Sequence, residues 1–466
     1  MPLPMINVVQ HQLTSDPKRR VSMHASAFSF DDTDSPDVYS TSLFDRLPVE
    51  LQIEIFTQCL PLSPHFDARE APLLISRVSQ PWRALVFSVP KLWSSFEIEV
   101  SESDSSNPLY ESHIEESTKL WLARSKNYPL TVSLIHIPVG RIPNGQSKRL
   151  LALLIPEAYR WKSVQITLPT ANMIPLPSHF PLLQSLALQL KGLWKLTPAV
   201  DISTSNIPWY QLSRLNLQLE QNNLPTLGDM LFIFAQTSKL RQCKISVDCT
   251  LDSGVDFDLL HLPVLEEFHL IVQGGLTSTS PALSLSNFFH HISVPALREL
   301  NITWLVQRST LWPNFQLFIS FLRRISSTLN TLSLAYLPVS ETDLIQILTP
   351  FSNVTHLRLH FPLSDHEHDP VSDNLLSLLT IRSHLTRDDD DSLLPSLVSL
   401  DLHCNGSNFS NLTLLAMIKS RWHDSGICLG HFGLLSMKPG LREVQNQVQW
   451  INREGVDISV ETLIVR

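Results

Sequence analysis

The stretch LNTLSLAY, residues 329–336, decides how most of this chain folds. Leu329, Leu332, Leu334 and Tyr336 carry apolar side chains, and polar residues or alanine stand between them. Alternate side chains of a β-strand point to opposite faces, so this spacing predicts a short strand with one buried face. A single strand of this kind cannot bury its apolar face alone. The stretch therefore predicts neighbouring copies of itself.

The same pattern, apolar-x-x-apolar-x-apolar-x-apolar, occurs nine times between residues 161 and 404. Successive copies are 22 to 43 residues apart, and the steps centre on the period of about 20 to 29 residues that leucine-rich repeats show. The second apolar residue of each copy is, in order, Val164, Leu186, Leu215, Cys243, Phe268, Leu300, Leu332, Leu357 and Leu400.

Each copy would supply a strand and a return segment that covers it, and only neighbouring copies complete the core. Several return segments have helical patterns, among them residues 227–238 and 341–352. The pattern predicts an α/β fold with an irregular leucine-rich-repeat solenoid over residues 159–466. The alternative is a mixed α/β globule in which the leucine alternation arises by chance.

Composition excludes several classes of function. Hydrophobic residues make up 43% of the 466 residues and charged residues 17%, so most of the chain is expected to fold. The net charge is −9 and no concentrated basic patch occurs, so no nucleic-acid partner is expected. No apolar run approaches the roughly 18 residues of a membrane helix, and the first residues do not resemble a secretory signal. We therefore expect no membrane partner and a cytoplasmic or nuclear location.

The five cysteines are scattered, without metal-ligand spacing, and are expected to be buried, reduced thiols. Residues 1–40 are rich in Ser, Asp and Pro and predict a disordered lead-in. Helical patterns dominate residues 41–95. Residues 96–158 predict a connecting α/β segment: a strand at 96–100, a helix at 112–125 with Ser112 and Glu115 as a capping box, and a strand at 128–137.

Residues 43–62, LFDRLPVELQIEIFTQCLPL, predict a helix whose apolar surface is broader than the single stripe that a helix usually packs against its own core. At about 100° per residue, its apolar side chains form two groups that together span roughly 200°. The first group is Val49, Ile53, Phe56 and Leu60, and the second is Leu51, Ile55 and Cys59. Either this chain covers the helix on both sides, or a second protein covers one of them.

A further helix is predicted after Ser79, a suitable cap, with Pro81 in its first turn. Trp82, Leu85 and Val86 have the spacing of one helix face, and Pro90 should end the helix.

Together, LPVELQIEIFTQCLPL (residues 47–62) and LLISRVSQPWRALVFSVPKLWSSF (residues 73–96) resemble the F-box, a three-helix module that docks on the Skp adaptor of cullin ubiquitin ligases. The layout is most similar to fungal F-box proteins with irregular leucine-rich repeats. The resemblance implies an F-box over residues 41–95 and adaptor-binding roles for ten residues. These are Leu47, Pro48, Glu50, Ile55, Phe56, Leu60, Val78, Trp82, Arg83 and Leu85.

The sequence departs from the family in two places. Ser79 stands where a cysteine is common, and Gln80 and Pro81 stand where basic residues are expected. The resemblance implies the substrate-recognition subunit of a Skp-cullin-F-box ubiquitin ligase, whose repeats bind a target protein. Alternatives are a repeat scaffold with a degenerate F-box outside ubiquitin ligases, and a helical module that only caps the repeat array.

Sites for chemistry have little support in the sequence, since no nucleophile elbow, phosphate loop, dinucleotide fingerprint or zinc-binding HExxH pair occurs. HEHD (residues 366–369) and DDDD (residues 388–391) are expected to be solvated loops. His290 and His291 predict the end of a helix, and Trp304 and Trp312 are more typical of core than of contact residues. We therefore expect no enzyme activity, cofactor or metal. An enzyme with an unfamiliar site is the remaining alternative.

Overall fold

The computed structural model describes residues 43–101, 108–137, 145–191, 207–219, 224–251, 258–274, 281–306, 312, 315–363, 369–381, 392–423, 429–438, 440–452 and 457–462. The chain divides into two compact units, Met1–Val49 and Glu50–Arg466. In the first unit a 3-10 helix spans Leu43–Arg46, and the Leu47 amide donates to the Phe44 carbonyl at 3.0 Å. The predicted disordered lead-in, residues 1–40, lies outside the described residues.

A parallel β-sheet forms the framework of the second unit. Within the described residues it has thirteen strands, which lie side by side in chain order. They are β1 (Ser95–Val100), β2 (Leu130–His136), β3 (Trp161–Pro169), β4 (Ser185–Lys191), β5 (Arg214–Gln218), β6 (Gln242–Asp248), β8 (Glu267–Gln273), β10 (Glu299–Trp304), β11 (Thr331–Ala335), β12 (His356–His360), β13 (Ser399–Cys404), β14 (His431–Ser436) and β15 (Asp457–Thr462). Two short strands, β7 (Leu260–His261) and β9 (Ile292–Ser293), pair separately.

One register runs across all thirteen strands. The residues that pair along it, in order, are Phe96, Val132, Val164, Leu186, Leu215, Cys243, Phe268, Leu300, Leu332, Leu357, Leu400, Phe432 and Ile458. Nine of these are the residues that mark the nine sequence copies. All nine predicted strands are therefore present, and each pairs with the next copy.

The described residues contain eleven α-helices. They are α1 (Val49–Gln58), α2 (Gln80–Ser88), α3 (Pro108–Ser125), α4 (Gln146–Leu154), α5 (Leu227–Gln236), α6 (Pro281–His290), α7 (Gln316–Ile325), α8 (Glu341–Leu348), α9 (Asp373–Leu378), α10 (Asn411–His423) and α11 (Leu441–Asn452). Because parallel strands in chain order are joined by right-handed crossovers, the connections share one face of the sheet. Accordingly, α5 packs on α6, α6 on α7, α9 on α10 and α10 on α11.

The sheet has one buried face and one partly exposed face. In β4, β8, β10 and β13, every second residue is buried and the residues between are half-buried. The buried row meets the helices: the ring of Phe268 lies 5.8 Å from Phe234 in α5 and 6.4 Å from Phe288 in α6. Burying one such side chain contributes about 1.5 to 3 kcal/mol, so this row is the main apolar core of the fold.

Several local predictions are confirmed. Residues 227–236 and 341–348 are helices, and each begins with a capping box, Thr226 with Asp229 and Ser340 with Asp343. Helix α6 ends at His290. Trp304 and Trp312 are buried, with ring centroids 6.0 Å apart, which places both in the core.

Other predictions are wrong. Helix α3 begins at Pro108, so Ser112 lies inside the helix and does not cap it. Cys59 is exposed, although Cys243, Cys249 and Cys404 are buried free thiols as expected. Cys428 lies outside the described residues.

The two loop predictions, at residues 366–369 and 388–391, have different outcomes. Of residues 366–369 only Asp369 is described, and it is 6% exposed rather than solvated. Its carboxylate accepts hydrogen bonds from the Val371 and Gly406 amides, at 3.0 and 2.9 Å, because these loop amides are buried and need an acceptor. Residues 388–391 lie outside the described residues.

The fold is thus mixed α/β with a large parallel sheet, which confirms the predicted α/β class. Among the described helices, none combines the length and the apolar character that crossing a membrane requires.

Candidate functional site

The segment that resembles an F-box contains the helix predicted after Ser79. Ser79 precedes α2, and its hydroxyl accepts a hydrogen bond from the Trp82 amide at 3.3 Å. Pro81 stands in the first turn, where its missing amide hydrogen costs no helical hydrogen bond. The helix ends at Ser88, and a 3-10 helix follows at Pro90–Trp93. Another 3-10 helix, Ile75–Arg77, precedes α2.

Aromatic packing joins these short helices. The ring of Phe56 in α1 lies 5.1 Å from the ring of Trp82 in α2. Trp93 is fully buried, and its indole nitrogen donates to the Val86 carbonyl at 2.9 Å. The guanidinium of Arg83 donates to the Ser76 carbonyl at 2.9 Å, which ties α2 to the 3-10 helix before it.

The same aromatic cluster continues into the sheet region. Trp93 meets Trp121 of α3 edge to face at 5.1 Å, and Phe66 lies 5.3 Å from Trp121. The guanidinium of Arg124 lies 4.4 Å above the Phe87 ring and 4.3 Å above the Trp93 ring, and its burial lowers the pKa of Arg124. The helices of residues 50–93 are therefore anchored on α3 and β1.

One apolar group of α1 is not covered by the residues that the structure describes. Phe56 is 1% exposed, whereas Leu51 is 52% and Ile55 41% exposed. The Leu51 and Ile55 side chains are one helical turn apart. Cys59 follows one turn later and is also exposed. The second apolar group predicted from the sequence therefore faces outward.

More large apolar side chains are exposed in the same segment. They are Val49, Leu62, Leu74, Val78 and Phe87. Leu74 and Val78 lie on either side of the three-residue 3-10 helix Ile75–Arg77. Scattered exposed leucines are normal in proteins, but a concentration of them in one short segment is typical of an interaction surface. We call Leu51, Ile55, Leu74 and Val78 the apolar surface.

The ten residues assigned by the resemblance differ in accessibility. Pro48, Glu50, Ile55, Val78 and Arg83 are exposed; Leu47, Leu60, Trp82 and Leu85 are half-buried; Phe56 is buried. Phe56 consequently holds α1 in place and offers no surface itself. The family motif does not single out Leu51 and Leu74. The sequence indicated Leu51 through its helical spacing from Ile55. Only the apolar character of Leu74 indicated that residue.

The ion pair that involves α1 is exposed. Lys91 lies 3.6 Å from Glu54 of α1, and the hydrogen bond from Gln58, together with Lys91, lowers the pKa of Glu54. Exposed pairs of this kind contribute little to stability. Apolar contacts, not ion pairs, therefore dominate both the packing and the surface of this segment.

A second candidate surface is the partly exposed face of the sheet. Between β4 and β8 a shallow depression is lined by both charge signs, including Arg214, Lys244 and Glu267. Such a mixed, polar face is typical of protein recognition rather than of a phosphate-binding surface.

A compact group of three side chains lies further along that face. His360 ends β12, and Asp401 and His403 lie on β13. The two imidazole rings are parallel within 3°, with centroids 3.8 Å apart. Burial lowers the pKa of His403, and the nearby His360 lowers it further. Burial raises the pKa of Asp401, but His360, His403 and Arg358 together bring it below its ordinary value.

A second group on this face, Glu267, His269 and Glu299, has one imidazole between two carboxylates. His269 Nε2 lies 2.8 Å from Glu299 Oε1, the distance of an ordinary ion pair. No nucleophile with an adjacent activating base occurs in either group.

No protein-family model matches this sequence, and no curated protein matches it either. The described residues define a mixed α/β protein with a parallel sheet of chain-ordered strands, exposed apolar side chains on α1 and a polar sheet face.

Proposed function

We propose that this chain is the substrate-recognition subunit of a Skp-cullin-F-box ubiquitin ligase. Residues 41–95 act as a three-helix F-box that binds a Skp-type adaptor. The observation that carries the proposal is the exposure of Leu51 and Ile55 on α1, directly beside the buried Phe56. A helix that this chain covered on both sides would leave an adaptor nothing apolar to bind.

The energetic argument is simple. Full burial of a leucine or isoleucine side chain contributes about 1.5 to 3 kcal/mol, and Leu51 and Ile55 each expose roughly half of theirs. Leu74 and Val78 are exposed to a similar degree. Covering all four supplies several kcal/mol, a part of what an adaptor complex needs to offset the freedom lost on association. Their concentration in one segment favours a partner over a solvated surface.

The repeat region supplies the second half of the proposal. Residues 159–466 form an irregular leucine-rich-repeat solenoid, and its polar face binds a target protein. The single register of apolar residues from Val164 to Leu400 supports this reading, because stacked copies of one unit share their register. Ubiquitination then follows from proximity. Holding the target near the ubiquitin-charged partner raises its effective concentration, and this chain needs no catalytic group.

A repeat scaffold acting outside ubiquitin ligases is the second candidate function. Gln80 and Pro81 provide no positive charge at the start of α2, and the Arg83 side chain is turned back onto the Ser76 carbonyl. Both features weaken charge contacts to an acidic adaptor surface. The first candidate function requires that apolar contacts alone are enough to hold the adaptor. In the second, they are not enough and no adaptor binds.

Co-purification with a Skp-type adaptor tests the proposal. The full chain is compared with a Leu51→Asp/Ile55→Asp variant and with Leu120→Asp. Leu120 lies on α3 and is 52% exposed, the same exposure as Leu51, so it controls for adding a charge to an exposed leucine. Wild type and Leu120→Asp should retain the adaptor, and the double variant should lose it. Equal retention by all three, or by none, would refute the adaptor role, and the second outcome favours the scaffold.

A further inference from the structure

The polar face of the sheet brings three metal-ligating side chains together at its C-terminal half. His360 and His403 are paired in the register of β12 and β13, so their side chains stand beside each other on the same face. Asp401 precedes His403 by two residues and therefore shares that face. The sequence gives no spacing signal for this group, because 41 residues separate His360 from Asp401.

The distances suit a shared ion. His360 Nε2 lies 3.4 Å from Asp401 Oδ2, and His403 Nε2 lies 3.6 Å from Asp401 Oδ1. All three donor atoms lie within 4.8 Å of one another. Two ligands bound tetrahedrally to zinc, each about 2.0 to 2.1 Å from it, are separated by roughly 3.4 Å. The three groups are thus close enough for one ion, but the two rings are stacked 3.8 Å apart with planes within 3°. One imidazole must turn about its Cβ–Cγ bond, a soft torsion, before both nitrogens point at the same ion.

The contacts from the two imidazoles to Asp401 are long. Hydrogen bonds from nitrogen to a carboxylate are about 2.7 to 2.9 Å long, whereas His360 Nε2 makes one of 3.4 Å to Asp401 Oδ2 and His403 Nε2 lies 3.6 Å from Asp401 Oδ1. Both imidazoles therefore face the same carboxylate at distances that leave its contacts with them weak.

Because Gly433 on β14 has no side chain, the Asp401 carboxylate can occupy the space beside it. A Cβ at Gly433 would lie 2.8 Å from Asp401 Oδ1 and 3.4 Å from His431 Nε2. Any larger residue there would therefore displace the carboxylate. Arg358, the register partner of Asp401 on β12, adds a positive charge that a bound cation must compete with.

We propose that His360 Nε2, His403 Nε2 and the Asp401 carboxylate bind one divalent transition-metal ion of the zinc class. Two imidazoles and a carboxylate are a ligand set that zinc accepts. The fourth tetrahedral position stays open to water or to a donor from a bound protein. This site does not depend on the adaptor function, since it lies on the sheet and not on residues 41–95.

The test uses the full chain without a histidine tag, stripped with a chelator and then dialysed against Zn²⁺. We expect one tightly bound equivalent. The visible absorption of the Co²⁺-loaded protein should show tetrahedral coordination. A His360→Ala/His403→Ala variant should bind at least about 100-fold more weakly, since even losing an outer-shell partner costs 10- to 100-fold. Asp401→Asn should weaken binding and change the Co²⁺ spectrum.

His356→Ala and Arg358→Ala are the matched controls. His356 is an exposed histidine on the same strand, β12, and its removal should leave the affinity unchanged. Arg358→Ala removes a competing cation but no ligand, so its affinity should equal or exceed that of wild type. Elution volume and circular dichroism verify the fold of each variant. No bound equivalent in wild type, or equal Zn²⁺ affinity in the double variant, or loss of binding in either control, would overturn the proposal.

Discussion

The ring of Phe56 in α1 lies 5.1 Å from the ring of Trp82 in α2, and this contact separates the two faces of α1. On the contact side Phe56 is buried, Ile53 and Leu60 are half-buried, and Val49 is 46% exposed. On the other side Leu51 and Ile55 are exposed. The contact between Phe56 and Trp82 therefore anchors α1 on this chain, and the apolar side chains of Leu51 and Ile55 stay accessible to a partner.

The first prediction concerns that division of roles. Phe56→Ala should destabilise the segment by about 3 to 5 kcal/mol, because it removes a buried ring and leaves a cavity beside Trp82. Ile55→Ala, one residue away, should cost far less, since its side chain is already exposed. Urea denaturation followed by tryptophan fluorescence measures both. Similar losses in the two variants would mean that Ile55 also belongs to the core.

The second prediction concerns the register of the sheet. Leu215 on β5 is buried in the row that crosses all thirteen strands, whereas its neighbour Arg214 is exposed. Leu215→Ala should cost about 2 to 5 kcal/mol, and Arg214→Ala within about 0.5 kcal/mol. The midpoints of chemical denaturation are the readout. If Arg214→Ala is the more damaging change, the assignment of buried and exposed faces is wrong.

The third prediction concerns the buried Arg421 of α10. Its guanidinium donates to the carbonyls of Leu379, Leu393 and Leu394, at 2.6, 2.7 and 2.9 Å. Arg421→Lys keeps the charge but cannot span three acceptors, and each buried carbonyl left without a donor costs about 1 to 3 kcal/mol. Thermal denaturation should show a clear drop. The exposed Arg442, changed to lysine in the same way, should have no effect.

The fourth prediction concerns thiol reactivity. Burial raises the pKa of Cys243 and Cys404, and burial together with the charge of Asp248 raises the pKa of Cys249 to about 12. Only the thiolate reacts, so at pH 8 these three should stay unmodified by iodoacetamide in the folded protein. Cys59 is exposed and should react first. Site-resolved mass spectrometry measures this, with Cys59→Ser as the control. Early labelling of Cys243 would contradict the buried sheet row.

Much of the sheet was predictable, because a strand buried on one face must alternate and a stacked strand must repeat. Two strands outside the nine copies, β1 and β2, were predicted from shorter alternation at residues 96–100 and 128–137. The residues Trp93, Phe96, Ile98 and Val100 of β1 and its approach also fit the full repeated pattern. The signal fails in β14 and β15, which were not predicted. In β14 the last apolar position of the repeated pattern is taken by Ser436, a buried polar residue whose hydroxyl donates to the Asn405 carbonyl at 2.7 Å. A search for apolar residues misses such a strand.

The surfaces were less predictable than the sheet. Helical spacing identified Leu51 with Ile55, but the sequence did not indicate which of the two apolar groups of α1 this chain covers. Only the fold shows that Phe56 lies in the core. Likewise, His360 and His403 meet through strand pairing across an intervening helix and loop, a relationship that no local motif encodes.

The most direct test of the account is titration calorimetry of the full chain with a purified Skp-type adaptor at several temperatures. We predict saturable binding of one adaptor per chain with a negative heat-capacity change, because covering the apolar surface removes apolar area from water. An absence of saturable binding at every temperature, or binding with no heat-capacity change, would contradict the claim that an adaptor covers Leu51 and Ile55.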